Sequence, residues 1–437
     1  MYRKSVWAVT GVVAVAVAVA VAVAGCGSSR AAPSIALSRE IRTGSVVFQW
    51  GRVGGALGGA AGGRFGTHRS RDLFGPRLRR NLSAILGVGP IRFEPTPVRG
   101  ILGTVRQVAT SNSTGYALTT TGVVYAWGTG SEGELGNGST TRLSARAVRV
   151  DFPAGVKIAK LSNPMPYDGG MAIDTHGIVW AWGNDAAREF CQRVGANIDT
   201  PVKVPLPHVT LAVGAWRHAI YDADGEVVSC GRSDHGQLGN GTIGPWSDTG
   251  RPVAVKGLPP GRVVTLTSAF GNAGALMADG AYYDWGINSG GQVGDGTRIE
   301  RTTAARVKLP DRVTRVFAGG SFPDNGQTMA ILANGQLWVW GANGSGQLGD
   351  GTRTSSTRPI RLQEPEHARF VAVSSGGATD YAIGRSGELW TWGQNSEGQL
   401  GDGSFDAMSR KPINGPLRVT QVSATARNVA AIAKVGP

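Results

Sequence analysis

The chain has 437 residues, a formal net charge of +14 and three cysteines. Its length could hold two or three domains of average size. Glycine is abundant, at 67 residues, but no Gly-X-Y period is present, which excludes a collagen-like protein. The excess of glycine is better explained by turns that recur along a globular chain.

The first 26 residues have the organisation of an export signal. Arg3 and Lys4 precede an apolar run over residues 6–24, and small residues then lead to Cys26. This ending is similar to the lipobox of bacterial lipoproteins, in which the cysteine is lipidated and becomes the mature N-terminus. The alternatives are an uncleaved membrane anchor, for which 19 residues are just long enough, and a wrongly assigned start. Both membrane interpretations place the rest of the chain outside the cytoplasmic membrane, after a tether over residues 27–43.

Two incomplete repeats lie at the two ends of the remaining chain. Residues 44–59 contain a predicted strand, a Trp-Gly pair and a degenerate Gly-x-Leu-Gly motif. This is the order of elements in the second half of a repeat. Residues 418–434 carry the first half and stop where the turn glycine should follow. We therefore predict that the two segments join in one sheet and close a ring, which removes exposed sheet edges.

A basic insertion follows the N-terminal half-repeat, over residues 60–91. Residues 64–106 contain nine arginines against Asp72 and Glu94. An irregular surface loop is one interpretation, and contact with anionic lipid or anionic wall polymer is another. Nucleic acid is a third, but an exported protein rarely meets chromosomal DNA. The arginines at the centre of the insertion are Arg69, Arg71, Arg77, Arg79 and Arg80.

Residues 92–437 are dominated by a repeat of about 50 residues. Its marker is a Trp-Gly pair at the end of an alternating apolar run, and Cys230 replaces the Trp in one copy. The steps between copies are 48 to 55 residues. Such a period, with strand character in each unit, predicts an array of propeller blades. The Trp residues are Trp127, Trp182, Trp285, Trp340 and Trp392.

Each copy has the same internal order. An alternating strand, an Ala-Leu or Ala-Ile pair and a turn glycine precede the Trp-Gly strand, and a glycine-rich loop such as GQLGDGT follows it. The turn glycines suit tight hairpins, so we predict four short strands per unit. Only the copy after Trp182 reads as having lost the glycine-rich loop.

This combination of motifs resembles the repeats of the regulator of chromosome condensation family. The resemblance covers about three quarters of the chain and implies an all-β, seven-bladed β-propeller, here of a secreted or lipoprotein bacterial branch. In the founder of the family the propeller is a nucleotide exchange factor for a small GTPase and binds chromatin. A further relative is a secreted β-lactamase-inhibiting propeller of soil bacteria. No functional residue of either transfers to a numbered position here.

Residue patterns typical of catalysis, of a cofactor or of a metal site are absent from the sequence. The six histidines lack metal spacing, and no nucleophile elbow or phosphate loop occurs. Asp222 and Asp224 resemble the start of a calcium loop but coincide with a predicted hairpin turn. Cys191 and Cys230 could form a disulfide in an oxidising compartment, although their positions favour two small apolar residues.

Alignment of the repeat copies with one another predicts a binding face. The loop between the first two strands of each blade lies on one side of the ring, and its residues vary between copies while the turn residues recur. Aromatic residues are frequent among them, as in protein-binding hot spots, although inward packing into the central channel is the alternative. The predicted face comprises Asn112, Tyr167, Trp216, Arg217, Phe270, Phe322, Asp324, Thr379 and Arg427.

The sequence therefore predicts an exported, membrane-tethered propeller that binds a protein or a glycan at the cell envelope. Two alternatives are an inhibitor of a secreted or periplasmic enzyme and an exchange-factor-like or chromatin-binding propeller. An enzyme with a dispersed active site in the central face is a further one.

Overall fold

The computed structural model describes residues 44–52, 91–192, 196–320, 325–363, 368–403, 408–425 and 428–435. These residues lie in one compact unit, Arg39–Pro437. Their regular structure consists of β-strands. No helix in these ranges is long and apolar enough to cross a membrane.

The strands of the first half of the chain are short, mostly of four to nine residues. They are β1 (Gly44–Arg52), β2 (Ile91–Pro97), β3 (Val105–Thr110), β4 (Thr114–Thr119), β5 (Val124–Thr129), β6 (Leu143–Arg149), β7 (Ile158–Leu161), β8 (Gly169–Asp174), β9 (Val179–Asn184), β10 (Asn197–Lys203), β11 (Val209–Ala215), β12 (His218–Ala223), β13 (Glu226–Ser233) and β14 (Gly244–Ala254).

The second half of the chain repeats this arrangement, and its last strand but one, β26, is long. Its strands are β15 (Val263–Ser268), β16 (Asn272–Met277), β17 (Tyr282–Gly286), β18 (Arg301–Arg306), β19 (Val313–Gly319), β20 (Gln327–Leu332), β21 (Leu337–Gly341), β22 (Ser356–Arg361), β23 (Phe370–Gly376), β24 (Thr379–Gly384), β25 (Glu388–Gln394), β26 (Met408–Ala424) and β27 (Asn428–Val435).

The described strands form seven four-stranded antiparallel units, numbered here as blades 1 to 7. Blades 1 to 5 are the separate sheets β3–β6, β7–β10, β11–β14, β15–β18 and β19–β22. Blades 6 and 7 share the long strand β26, whose first part pairs with β25 and whose last part pairs with β27. The inner strands of successive blades pack against one another, with β11 of blade 3 against β8 of blade 2, and β26 and β27 also pack against β3. The ring is therefore closed between blades 7 and 1.

Blade 7 confirms the prediction that the two half-repeats join. Strand β1 pairs with β27 from Gly44↔Val435 to Gly51↔Asn428, and β2 adds the outer strand. The ring is also fastened by side chains, because Gln421 in β26 exchanges two hydrogen bonds with the backbone of Val108 in β3. The N- and C-terminal segments thus depend on each other for their pairing.

A buried tryptophan packs between neighbouring blades at most of the blade boundaries. The Trp of the Trp-Gly pair is fully buried in six blades. In five of them the indole N–H donates, over 2.8–3.0 Å, to the carbonyl of the Gln or Glu in the glycine-rich loop of the preceding blade. A Cβ on the glycine two residues after that Gln or Glu would lie 2.6–2.9 Å from the indole. The repeat therefore needs glycine there because the indole occupies the space.

The boundary between blades 2 and 3 corrects the sequence interpretation of the loop after Trp182. This loop keeps the conformation of the glycine-rich turn: Arg188 and Cys191 adopt φ of 61° and 56°, as Gly133 and Gly136 do at 89° and 61° in blade 1. Phe190 is buried at the place of the turn leucine. The turn is retained with other residues, and only its glycine pattern is lost.

The same boundary replaces the Trp wedge by a disulfide. Cys191 stands at the glycine position and Cys230 at the tryptophan position, and their sulfurs are bonded, with Cα atoms 5.3 Å apart. The favoured expectation of two unbridged cysteines is therefore wrong. Tyr221 supplies the missing donor, because its hydroxyl donates to the Glu189 carbonyl over 2.8 Å. The equivalent position is alanine in the other six blades, namely Ala117, Ala172, Ala275, Ala330, Ala382 and Ala431.

Candidate binding face

The loops between the first and second strands of the blades converge at the centre of one face. Asn112, Tyr167, Trp216 and Phe270, from blades 1 to 4, line one small cavity together with Gly377 of blade 6. The cavity holds only about 50 Å³, enough for one or two water molecules. The loops thus close the centre of this face, and part of the predicted aromatic cluster does pack inward.

The loops of blades 1 to 3 are fixed to each other through their backbones. The amide of Asn112 donates to the Tyr167 carbonyl over 2.8 Å, and the amide of Tyr167 donates to the Ala215 carbonyl over 3.2 Å. A partner would meet a preformed surface, because these contacts order the loops before binding.

Trp216 is the centre of the face. It stacks on Phe270 of the next blade with ring centroids 4.4 Å apart and planes 12° from parallel. The Cζ atoms of Arg217 and Arg232 lie 4.8 and 5.2 Å from the centroid of the Trp216 ring. Because Phe270 covers one face of this ring, the two guanidinium groups lie over the other face. Both aromatic residues are half-buried, and Arg217 is exposed. This is an aromatic and arginine cluster with its rings held by mutual stacking.

Arg232 is a member of this cluster that the sequence analysis missed. It follows Gly231, which pairs with His218 across the β12–β13 hairpin, and its amide donates to the Arg217 carbonyl over 2.8 Å. Its guanidinium forms an ion pair with Asp234 at 3.0 Å. The register of the β12–β13 hairpin predicts that Arg232 lies beside Trp216. The reason is that the residue after each Trp-Gly pair lies opposite the loop between the first two strands of its blade.

The remaining residues predicted for the face fall outside the cluster or outside the described ranges. Thr379 is fully buried, and its hydroxyl donates to the Gln394 carbonyl over 2.6 Å, so it is not available to a partner. Phe322, Asp324 and Arg427 lie outside the described residues. The same holds for Cys26 and for the whole basic insertion.

A buried His–Ser contact beneath the cluster is structural. The ring of His218 lies 2.9 Å from the Ser268 hydroxyl of the next blade and 3.1 Å from the Trp216 carbonyl. Burial lowers the pKa of His218 to about 4, so the imidazole is neutral. Both side chains are at most 1% exposed, which excludes a substrate. The contact links blades 3 and 4 and holds the Trp216 backbone.

Buried carboxyl groups lie at the blade 2 side of the cluster. Burial, and after it the nearby Asp185 carboxyl, raises the pKa of Glu189 to about 8. Burial likewise raises the pKa of Asp185 to about 7. Both groups therefore carry at most a partial negative charge at neutral pH, and they do little to neutralise nearby arginines. Within the described ranges, no three His, Cys, Asp or Glu side chains are grouped so that they could hold a metal ion.

The closed ring of four-stranded units and the wedged Trp-Gly repeat define a β-propeller repeat protein. The sequence profile of the regulator of chromosome condensation (RCC1) repeat matches residues 334–379 and 386–432. These two segments of the chain are therefore repeats of the regulator of chromosome condensation type.

Several characterised proteins share this repeat over most of the chain. The E3 ubiquitin-protein ligase HERC2 of Homo sapiens is 27% identical over 344 residues, which are 76% of this chain but 7% of HERC2. The chain thus spans a small part of that relative. The ultraviolet-B receptor UVR8 of Arabidopsis thaliana is 27% identical over 339 residues, 72% of each chain.

Solved structures agree with the fold. Human WBSCR16 superposes with a TM-score of 0.72 at 19% identity, covering 90% of this chain and all of that one. Prp20p of Saccharomyces cerevisiae superposes with a TM-score of 0.71 at 20% identity, covering 90% and 93%. At these identities the likeness concerns the fold alone.

Proposed function

We propose that the protein is an exported, membrane-tethered propeller that binds a protein partner at the cell envelope through the cluster around Trp216. The observation that carries this proposal is the half-buried Trp216–Phe270 stack with its two arginines, in loops that are hydrogen-bonded to their neighbours. Tryptophan and arginine are the residues most enriched in interface hot spots. Prp20p, which shares the fold, has been studied for binding to Gsp1p and histones and has been seen bound to Kap60.

A protein is favoured over a glycan as the partner. A sugar ring stacks on an open aromatic face, whereas one face of Trp216 is covered by Phe270 and the other is approached by two guanidinium groups. A protein surface can instead contact the edges of the rings and the exposed Arg217 together.

Trp216→Ala and Phe270→Ala are each expected to weaken partner binding by about 2 kcal/mol, roughly 30-fold, because each removes half of the stack. The chain without residues 1–26 would be used to capture partners from a cell-envelope extract, and the affinity of the captured protein would then be measured. Trp338→Ala is the matched control, because Trp338 is also half-buried but lies in β21 of blade 5. Unchanged affinity together with a large fall in melting temperature would show that the stack only supports the fold.

The export part of the proposal rests on the N-terminal signal, and the buried Cys191–Cys230 disulfide supports it because disulfides persist in oxidising compartments. Cys26→Ala is expected to release the protein from the membrane fraction or to leave a heavier precursor. Cell fractionation and mass spectrometry test this. A protein of unchanged mass that stays in the membrane fraction would refute lipid attachment at Cys26.

A further inference from the structure

Four residues other than glycine have a positive φ in the described part of the chain: Arg188, Cys191, Arg217 and Asp224. Residues with a side chain are disfavoured at positive φ, so the conformation of each of these four residues requires an explanation. Cys191 is held by its disulfide, and Asp224 precedes Gly225 in a hairpin turn, where Asp tolerates this conformation. The two arginines are neither bridged nor of a residue type that tolerates this conformation.

Arg188 stands where the repeat otherwise uses glycine. The equivalent glycines all have φ between 75° and 89°, and Arg188 has 61°. Arg217 has φ of 60° in a tight turn of two residues, Trp216 and Arg217, between β11 and β12. Glycine or asparagine would adopt the backbone conformation at both positions with less strain. The equivalent glycines are Gly133, Gly236, Gly291, Gly346 and Gly398.

Both arginines are exposed, and the chain segments that carry them are joined by the Cys191–Cys230 disulfide and by the hydrogen bond from the Tyr221 hydroxyl to the Glu189 carbonyl, over 2.8 Å. Arg188 acts electrostatically on Asp185, and Arg217 acts on Glu189. Neither guanidinium has a hydrogen bond or an ion pair with a described residue. Arg217 makes only its stacking contact with Trp216.

We propose that Arg188 and Arg217, beside Trp216, form an acid-recognition corner that takes a carboxylate side chain of an acidic segment in the protein partner. This inference rests on the proposed function and specifies its partner. Strained residues that persist at exposed positions are typical of binding sites, where the strain presents a side chain to a ligand. A guanidinium without a partner is matched to a carboxylate in charge and in geometry.

The surroundings of the corner favour an acidic protein segment over a nucleic acid. Arg232, the third arginine at Trp216, is already paired with Asp234. Asp168 acts on the same buried Glu189, and Glu132 accepts a hydrogen bond from Asn184 in blade 2. A phosphate chain would need a longer row of cations than Arg188 and Arg217 provide, whereas two guanidinium groups are enough for one or two carboxylates.

The test uses Arg188→Asn and Arg217→Asn, because asparagine removes the charge and tolerates positive φ. The probes are two labelled octapeptides of sequence (Gly-Glu)4 and (Gly-Gln)4, measured by fluorescence anisotropy at low ionic strength with the chain lacking residues 1–26. We expect the glutamate peptide to bind at least 10-fold more tightly than the glutamine peptide. Each variant should lose at least 5-fold of that binding while its melting temperature stays the same or rises. Arg353→Asn, an exposed arginine in the glycine-rich loop of blade 5, should leave binding unchanged.

Four outcomes would overturn the proposal. They are equal binding of the two peptides, no binding of the glutamate peptide at millimolar concentration, an equal loss with Arg353→Asn, and a marked fall in melting temperature in both asparagine variants. A thymidine octanucleotide that binds more tightly than the glutamate peptide through the same arginines would assign the corner to nucleic acid instead. If the arginine variants keep the captured partner while Trp216→Ala loses it, only the acid-recognition corner is refuted and the binding face stands.

Discussion

Deletion of residues 418–437 is expected to abolish cooperative unfolding of the propeller. The deletion removes β27 and the end of β26, which are the middle and inner strands of blade 7. Strand β1 then keeps only β2 as a partner, and the Gln421 contacts to β3 that help to close the ring disappear. Val429 and Ile432, both buried, contribute with their neighbours on the order of 5–8 kcal/mol of apolar burial. That is comparable with the whole stability of a typical domain, about 5–15 kcal/mol.

Calorimetry and size-exclusion chromatography measure this effect. The truncated chain should aggregate or unfold without a cooperative transition, because β1 and β3 present unpaired or uncovered surfaces. Deletion of Gly436 and Pro437 alone is the control and should melt as the full chain does. A chain lacking residues 418–437 that remains monomeric and melts at the same temperature would show that the half-repeats do not close the ring.

Loss of the disulfide between blades 2 and 3 is expected to cost about 4 kcal/mol of unfolding free energy. The bridge closes a loop with a sequence separation of 39 residues, and loop-closure entropy gives this magnitude. The variant Cys191→Ala/Cys230→Ala also lacks the indole that fills the same space at other boundaries. The urea concentration at the midpoint of unfolding should be lower for this variant than for the unaltered chain. Dithiothreitol should destabilise the unaltered chain but leave the stability of the variant unchanged.

A rescue variant separates the disulfide from the packing that it replaces. Cys191→Gly, Tyr221→Ala and Cys230→Trp together rebuild the arrangement found at the other boundaries, with the indole against a glycine and the Glu189 carbonyl as acceptor. The triple variant should recover at least half of the lost stability and be insensitive to reductant. If it is less stable than the double alanine variant, the disulfide and the Trp wedge are not equivalent solutions.

The sequence predicted the fold because the repeat marks its own strand register. Each Trp-Gly pair recurs with its turn glycine and its Ala-Leu pair, so four strands per blade and the joining of the two half-repeats followed from spacing alone. The boundary between blades 2 and 3 was misinterpreted for a physical reason. Cys191, Tyr221 and Cys230 are distant in sequence, and only the structure shows that they occupy the volume of one tryptophan.

The candidate face was predicted in part. The phase of the repeat placed Asn112, Tyr167, Trp216 and Phe270 in equivalent loops, and the structure brings all four to one cavity. Thr379 was also placed there, but it lies just past the loop and begins β24, and Gly377 of that loop lines the cavity instead. The Trp216–Phe270 stack and the position of Arg232 depend on side-chain packing between neighbouring strands and blades, which a repeat period does not encode.

Photo-crosslinking from single sites tests most directly whether this face binds a protein partner. Benzoylphenylalanine would be placed at Asn112, on the proposed face, or at Asn334, an exposed residue in the turn between β20 and β21 at the opposite ends of the strands. After irradiation in a cell-envelope extract, the account predicts a discrete adduct of higher mass from position 112, competed by an excess of the unlabelled chain, and no such adduct from position 334. An adduct from position 334 alone, or equal adducts from both positions, would contradict it.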